Sequence, residues 1–358
     1  MAELFGREHS REELLQRTGN ADQFGGVRLS RLEEGGAHGV LVADFRTGSG
    51  LNFTVSPDRG MDMLHGEFRG VPLCWRSYTG DLAPAFYEPE GLGWLRTFCG
   101  GILATCGFTA VGSPSEDEGE SLGLHGRANT IAATNVHADS RWDDDELHLW
   151  VQGKVREARV FGPNILLTRR VSTRLGESRL WIRDSITNEG HTTQPHMILY
   201  HFNMGYPLVS EASELLAPSR EVMPRDEDAE AALDRSHLFD PPTEGQREQV
   251  YYHDMGADEQ GFVVVALVNR ELGLGVYLRY RRDQLPRFVQ WRMCGMGHYV
   301  CGMEPANCRV AGRDEARRKG ELEFIEPGET RDYELEFGVV ATDGEIRDVE
   351  ERVAEMRG

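Results

Sequence analysis

The sequence predicts a mainly β protein built as one large antiparallel domain, and three observations carry that prediction. Five segments, LNFTVS (51–56), ELHLWVQ (146–152), NILLTRRVSTRL (164–175), RLWIRDSITN (179–188) and FVVVALV (262–268), are rich in β-branched and aromatic residues. Several alternate apolar with polar, the period-two signature of a half-buried antiparallel strand. Turn chemistry punctuates the chain at EEGG (33–36), SPDRG (56–60), NEG (188–190) and EPG (326–328). Alternating strand and helix units are missing, which argues against a doubly wound α/β plan.

The remaining elements follow in chain order. Ser10 followed by Glu13 in SREELL forms a capping box, so a short helix is expected over about 10–17. SPSEDEGES (113–121) reads as an acidic, glycine-containing loop, and 218–248 as a long polar insertion with one short helix. EIRDVEERVAEMR (345–357) places Ile346, Val349, Val353 and Met356 on one stripe and predicts a C-terminal helix. With no internal repeat and no linker, residues 1–358 are expected to form a single domain.

Composition narrows the function. Fifty-nine acidic against 39 basic residues give a formal charge of −20. Nucleic acid and anionic membrane are therefore poor partners, since phosphate binding needs a basic face. The charged N-terminus has no apolar core, and no run suits a membrane span, so a cytoplasmic protein is expected. The six cysteines form no C-x-x-C pair, and the last three, Cys294, Cys301 and Cys308, are seven apart. On a strand that spacing alternates faces, so buried free thiols are the better reading. His191 and His196 lie five apart across a proline, and no metal is expected. Dinucleotide, P-loop and G-x-S-x-G signatures do not occur.

Four places set polar residues inside apolar or glycine-rich runs. SLGLHGRAN carries His125 and Arg127, two apart and on one side of an extended chain. HMILYHFNMGYP carries His201 and Asn203 with the same spacing. MCGMGHYVCGMEPANC (293–308) holds one carboxylate, Glu304, among glycine, methionine and cysteine. SPDRGMDM places Arg59 in a turn between Asp58 and Asp62, where a solvated charge explains it as well as a ligand contact does. Singly, each is more often a hydrogen-bonded structural residue. Together they supply imidazole, carboxylate, amide and guanidinium groups suited to acid/base work on a polyhydroxylated ligand.

In that order, GLHGR, YHFNMGYP and GMEPAN resemble the aldose 1-epimerase (galactose mutarotase-like) family. The likeness is closer to its DUF4432-type branch, whose pattern also matches GLNFTVSPDRGMDM, FCGGILATCGF and FVQWRMCGMGHYVCGMEPAN. The resemblance implies a β-supersandwich, with large antiparallel sheets packed face to face and a sugar site on a concave sheet surface. It implies cofactor-free exchange of the α and β anomers of an aldose through the open-chain aldehyde. Glu304 falls on the family's base, His201 on the candidate acid and His125 on a sugar contact. Typical members read H-x-Y-F-N where this chain reads Y-H-F-N, so His125 is the alternative acid. Arg59, Arg127, Asn203, Gln290, Trp291 and Tyr299 complete the expected binding set, with a small carbohydrate as partner. Oligomeric state is not legible.

Two further readings share the fold. One is a sugar-binding or sensing protein without turnover. The other is a glycan lyase or hydrolase, in which Asp62 or Asp184 would partner Glu304. Arg59, Arg127 and Arg292, if they lined the pocket, would suit a sugar carrying an acidic group. A base for a hydroxyl proton must be partly desolvated, so the pKa of Glu304 is expected to be raised.

Overall fold

The structure, a computed structural model, describes residues 1–357. Two antiparallel sheets dominate it. The smaller, of eight strands, runs in the order Thr134–Asp143, Glu146–Ala158, Asn164–Arg174, Arg179–Asn188, Thr330–Val340, Leu274–Arg281, Phe262–Asn269, Ser213–Leu216. The larger has twelve. Its main path is Ser219–Pro224, Gln249–Met255, Arg287–Gly295, His298–Ala306, Gln194–Gly205, Leu103–Phe108, Asp62–Phe68, Leu51–Ser56, Leu41–Arg46, Gly26–Arg31. Two short strands, Glu323–Ile325 and Val71–Pro72, pair off that path.

The main core lies between the sheets, where their inner faces meet. Glu146–Ala158 shows how sequence does this: Leu147, Leu149, Val151 and Val155 alternate inward while polar neighbours face out. FVVVALV is buried on both faces. Val263, Val265 and Leu267 join the main core. Val264, Ala266 and Val268 are covered by the C-terminal helix Asp343–Met356 through Ile346, Val349, Val353 and Met356. That helix starts two residues earlier than expected because the Thr342 side chain accepts from Glu345 N–H and caps it. At the other end, both halves of the Ser10–Glu13 capping box form, on the helix Arg11–Leu15. Among the described residues no helix is long and apolar enough to cross a membrane.

One ionic cluster ties the sheets together inside this core. From the smaller sheet, Arg169 grips Asp184 with two parallel hydrogen bonds, Nε to Oδ1 at 2.8 Å and Nη2 to Oδ2 at 2.6 Å. Its Nη1 crosses to the larger sheet, donating to Asp62 Oδ1 (3.0 Å) and Thr105 Oγ1 (2.8 Å). Tyr200 donates to Asp184 Oδ2 at 2.7 Å. Burial pushes Asp62 up to about 6 against the opposing pull of Arg169. Asp62 and Asp184 are thus committed to the core, which removes them as partners for Glu304.

Two segments depart from the expected loops. The polar insertion opens with an edge strand of the larger sheet, Ser219–Pro224, before its helix Glu227–Glu230. The acidic loop folds into a hairpin, Ser115–Asp117 with Glu120–Leu122, where Asp117 accepts from both Arg313 and Arg317. Local charge pairing organises what composition alone leaves shapeless.

Candidate active site

The middle of the larger sheet is buried on its outer face as well as its inner one, and that second burial marks the site. The strand Gln194–Gly205 is buried throughout from His196 onward. Its inward residues Tyr200, Phe202 and Met204 belong to the inter-sheet core, while Met197 and Leu199 pack into a second cluster outside. His201 and Asn203 share the outer parity. On the neighbouring strand, Met303 and Cys301 face the core, so Glu304 and Gly302 face out. Pairings Phe202↔Met303 and Leu199↔Ala306 set His201 directly opposite Glu304.

His201 Nε2 and Glu304 Oε1 are 3.3 Å apart, and both side chains are almost wholly buried. No hydrogen bond joins them, and Glu304 Oε1 and, on the far side of the ring, His201 Nδ1 have no partner among the described residues. Buried polar atoms left in this way are uncommon and suit a ligand-facing site. Burial, then the Glu248 charge, raises Glu304 well above the usual carboxylate range, with Arg225 opposing. Burial, then neighbouring His125, depresses His201 to about 3. Both shifts favour the uncharged forms.

His125 approaches from a loop over the sheet, its ring 5.9 Å from that of His201. Its φ of 58° is left-handed, an uncommon choice for histidine. Two backbone bonds impose it: His125 N–H donates to Gly112 O, and Gly107 N–H donates to His125 O. Burial depresses the ring to about 4. Its Nδ1 also has no partner among the described residues.

Aromatic rings wall the space around these groups. Trp94 stacks on Phe98 at 4.3 Å and lies 4.8 Å from His125. Trp291 lies 5.4 Å from His201, and Trp75 lies 5.8 Å from Trp291. On one side Glu248 accepts from Trp291 Nε1 at 3.0 Å and from Arg225 Nη2 at 2.9 Å. The cavity they line, open at one side, measures about 600 Å³ and has Glu304 and His201 in its lining.

Of the residues expected from sequence, the cavity brings together Glu304, His201, His125 and Trp291. The others lie elsewhere. Gln290 and Tyr299 have the opposite strand parity. Gln290 donates to Ser236 O at 2.6 Å and pairs with His253 at 3.1 Å. Tyr299 donates to Asp240 O at 2.6 Å. Asn203 lies on the site's face but is spent on the backbone, donating to Gly101 O and His201 O. Arg59 is buried and donates to Leu82 O (2.6 Å) and Thr97 O (2.7 Å), bracketing the segment that carries Trp94. Arg127 is exposed over the Tyr87 ring, in a separate cavity. Arg292 points inward and anchors the insertion at Leu238 O and Asp240. None of the three arginines lines the pocket, so the clamp for an acidic sugar is not built from them.

The sequence reading missed Trp75, Trp94, Phe98, Arg225, Glu248 and His298. His298 was within reach of pattern reasoning, since it lies six residues before Glu304 and so on the same strand face. The others arrive from irregular connections, where no periodicity signals direction.

Comparison with known proteins places the fold. No curated protein sequence matches the chain. Among solved structures, a candidate aldose 1-epimerase from Klebsiella pneumoniae superposes with a TM-score of 0.89 at 25% identity, over 93% of this chain and 88% of that one. A galactose mutarotase-like protein from Clostridium acetobutylicum gives 0.60 at 12% identity, over 89% and 100%. A galactose 1-epimerase from Lactobacillus acidophilus gives 0.57 at 12% identity, over 89% and 99%. The fold is that of the galactose mutarotase-like proteins. The profile of a domain of unknown function, DUF4432, matches residues 37–339, and the chain belongs to that family.

Proposed function

We propose that the protein interconverts the α and β anomers of an aldose, with Glu304 and His201 as its acid/base pair. The observation that supports this most is the pair itself: opposed across two strands at 3.3 Å, buried, oppositely shifted and open to a cavity with room for a sugar ring. Ring opening needs one group to take the O1 proton while another gives a proton to the ring oxygen. Transfer of the Glu304 proton to His201 turns the uncharged resting pair into its ion-paired form, in which Glu304 carboxylate takes the O1 proton and His201 imidazolium protonates O5. The C1–O5 bond breaks, the aldehyde forms, and the pair is left uncharged. Rotation about C1–C2 presents the other carbonyl face. In closure Glu304 returns its proton to O1 as O5 attacks C1, and His201 recovers the O5 proton. Each opening switches the pair between its two forms and each closure switches it back, so protons balance without a cofactor.

The surroundings suit that role. The faces of Trp291, Trp94 and Phe98 can pack against the C–H face of a sugar ring. Glu248 has spare lone pairs toward the cavity, and His125 stands ready to contact a hydroxyl or to replace His201 as acid. The lining carries one guanidinium, Arg225, already bonded to Asp226 and Glu248, which favours a sugar without an acidic group. All six cysteines are buried and unpaired, which supports a reducing, cytoplasmic setting.

Anomer exchange followed by NMR saturation transfer, over a panel of neutral and acidic aldoses, tests the reading. Glu304→Gln is expected to lower exchange by about 10²–10⁴-fold, the usual contribution of a positioned acid or base. His201→Ala is expected to do the same if it is the acid, and His125→Ala to do so if that role is exchanged. Binding without accelerated exchange in the wild type would identify a sugar binder instead.

A further inference from the structure

We propose that the cavity holds a second sugar subsite above the acid/base pair, so that the preferred substrate is a reducing disaccharide rather than a monosaccharide. The inference rests on the anomer-exchange reading of the cavity floor. Capacity is the first ground. At about 30 Å³ per water-sized atom, the twelve non-hydrogen atoms of a hexopyranose take about 360 Å³ of the 600 Å³ cavity, and the 23 of a disaccharide take about 690 Å³, so a second ring fills the remainder and projects through the open mouth. A single ring seated on Glu304 and His201 leaves the upper part of the cavity unfilled.

The second ground is the lining at that height. A run of aromatic rings climbs from the floor to the mouth. His201 meets Trp291 at 5.4 Å, Trp291 meets Trp75 at 5.8 Å, Trp75 meets His298 at 6.4 Å, and His298 meets Tyr78 at 4.8 Å. Sugar rings stack on such surfaces, and here the surfaces continue well past the reacting ring. The third ground is exposure at the rim. Tyr78 is 76% exposed, and Leu92 and Leu95, facing the same cavity, are 61% and 48% exposed. One exposed leucine needs no explanation, but three large apolar side chains around one mouth form a patch continuous with the site. The occupant must keep a free anomeric hydroxyl at the floor, so it is the non-reducing ring that reaches the rim.

The test compares kcat/KM for anomer exchange of glucose and galactose with that of maltose, cellobiose and lactose. Wild type, Tyr78→Ala and Leu95→Ser would be measured. At least one disaccharide is expected to exceed its monosaccharide by about tenfold. Tyr78→Ala is expected to lower that disaccharide by about 2–10-fold, the worth of one aromatic contact, and to leave glucose and galactose within twofold. Equal rates for mono- and disaccharides, or equal losses for both in Tyr78→Ala, would overturn the subsite while leaving anomer exchange standing. If no sugar exchanges, binding read by tryptophan fluorescence decides. Tighter binding of a disaccharide, weakened in Tyr78→Ala, sustains the subsite without the reaction, and its absence refutes it. A change of sedimentation in Tyr78→Ala with no effect on sugars would reassign the rim to contact between protein copies.

Discussion

At the scale of the residue, the carboxylate of Glu304 depends on what is missing beside it. Gly302 shares its strand face, and a methyl group there would overlap Glu304 Oε1 and press on Trp291 Cβ at 2.8 Å. Gly302→Ala is therefore expected to leave the fold intact but to displace the base, lowering anomer exchange by about 10–100-fold, since misplacement near 1 Å carries costs of that order. Steady-state exchange beside a thermal melt separates the two effects, and an unchanged rate would show that Glu304 tolerates the shift. Titration gives a second expectation. The pair works while it holds one transferable proton, so activity falls on the acid side only as His201 protonates, near 3, and on the alkaline side only as Glu304 ionises, above the ordinary carboxylate range. The pH profile should therefore show no inflection near 6.5, the usual histidine value. An acid limb centred there would assign the proton to a solvated histidine instead.

At the scale of the element, the polar insertion is what completes the pocket, and the inner face of the sheet holds it in place. Arg292, Gln290 and Tyr299 all reach through to its backbone or to Asp240, while the insertion's two ends deliver Arg225 and Glu248 to the cavity. Arg292→Leu would leave Leu238 O, Gln249 and Asp240 without their donor. A stability loss of about 2–4 kcal/mol is expected, as for other buried charged hydrogen bonds cut on one side. Because Glu304 and His201 lie on the opposite face, KM should rise several-fold while kcat changes little. A fall confined to kcat would contradict the assigned route. These three residues also show where the sequence was readable and misread. Strand identity and the period of two were visible in FVQWRMCGMGHYVCGMEPAN, and Gln290 beside Trp291 cannot share its face, nor can Tyr299, five residues from Glu304. The alternation was thus available, but which parity faced the ligand was set by sheet packing, which no local pattern displays. Trp75, Trp94, Phe98 and Glu248 lie on connections whose direction is fixed by distant contacts, such as the two carbonyls held by Arg59. For them no sequence signal existed.

At the scale of the whole molecule, the buried titratable groups set the range of pH in which the fold is stable. His125, His196, His201 and His253 are held neutral by burial, at about 4, 3, 3 and 4. Each has a folded pKa below its unfolded value near 6.5, so its contribution is present above that value and is lost as pH falls. Glu304 and Asp62 act in the opposite sense. Their folded pKa values are raised, Asp62 to about 6, so the folded state keeps protons that the unfolded chain has released. Between pH 6 and pH 5 the unfolded chain holds about three to four protons on these histidines while the folded protein holds about two on the carboxyls, a net difference of about two. Stability should then fall by about 2–3 kcal/mol per pH unit on acidification. Above neutrality the histidines no longer differ, while Glu304 and, from about pH 8, the six buried thiols keep protons that the unfolded chain releases, so stability should decline again. A maximum near pH 7 follows. Urea unfolding across pH 5–9 at 0.15 M salt, which screens the −20 surface charge, measures the curve directly. Glu304→Gln should flatten the decline between pH 7 and pH 8, where the thiols do not yet titrate, in the variant that has lost exchange. If the decline between pH 7 and pH 8, below the range of the thiols, is the same in that variant, Glu304 is ionised in the folded protein and the uncharged form of the pair does not exist at rest. Stability surrendered at one carboxyl group is the thermodynamic counterpart of a base kept out of water for its work.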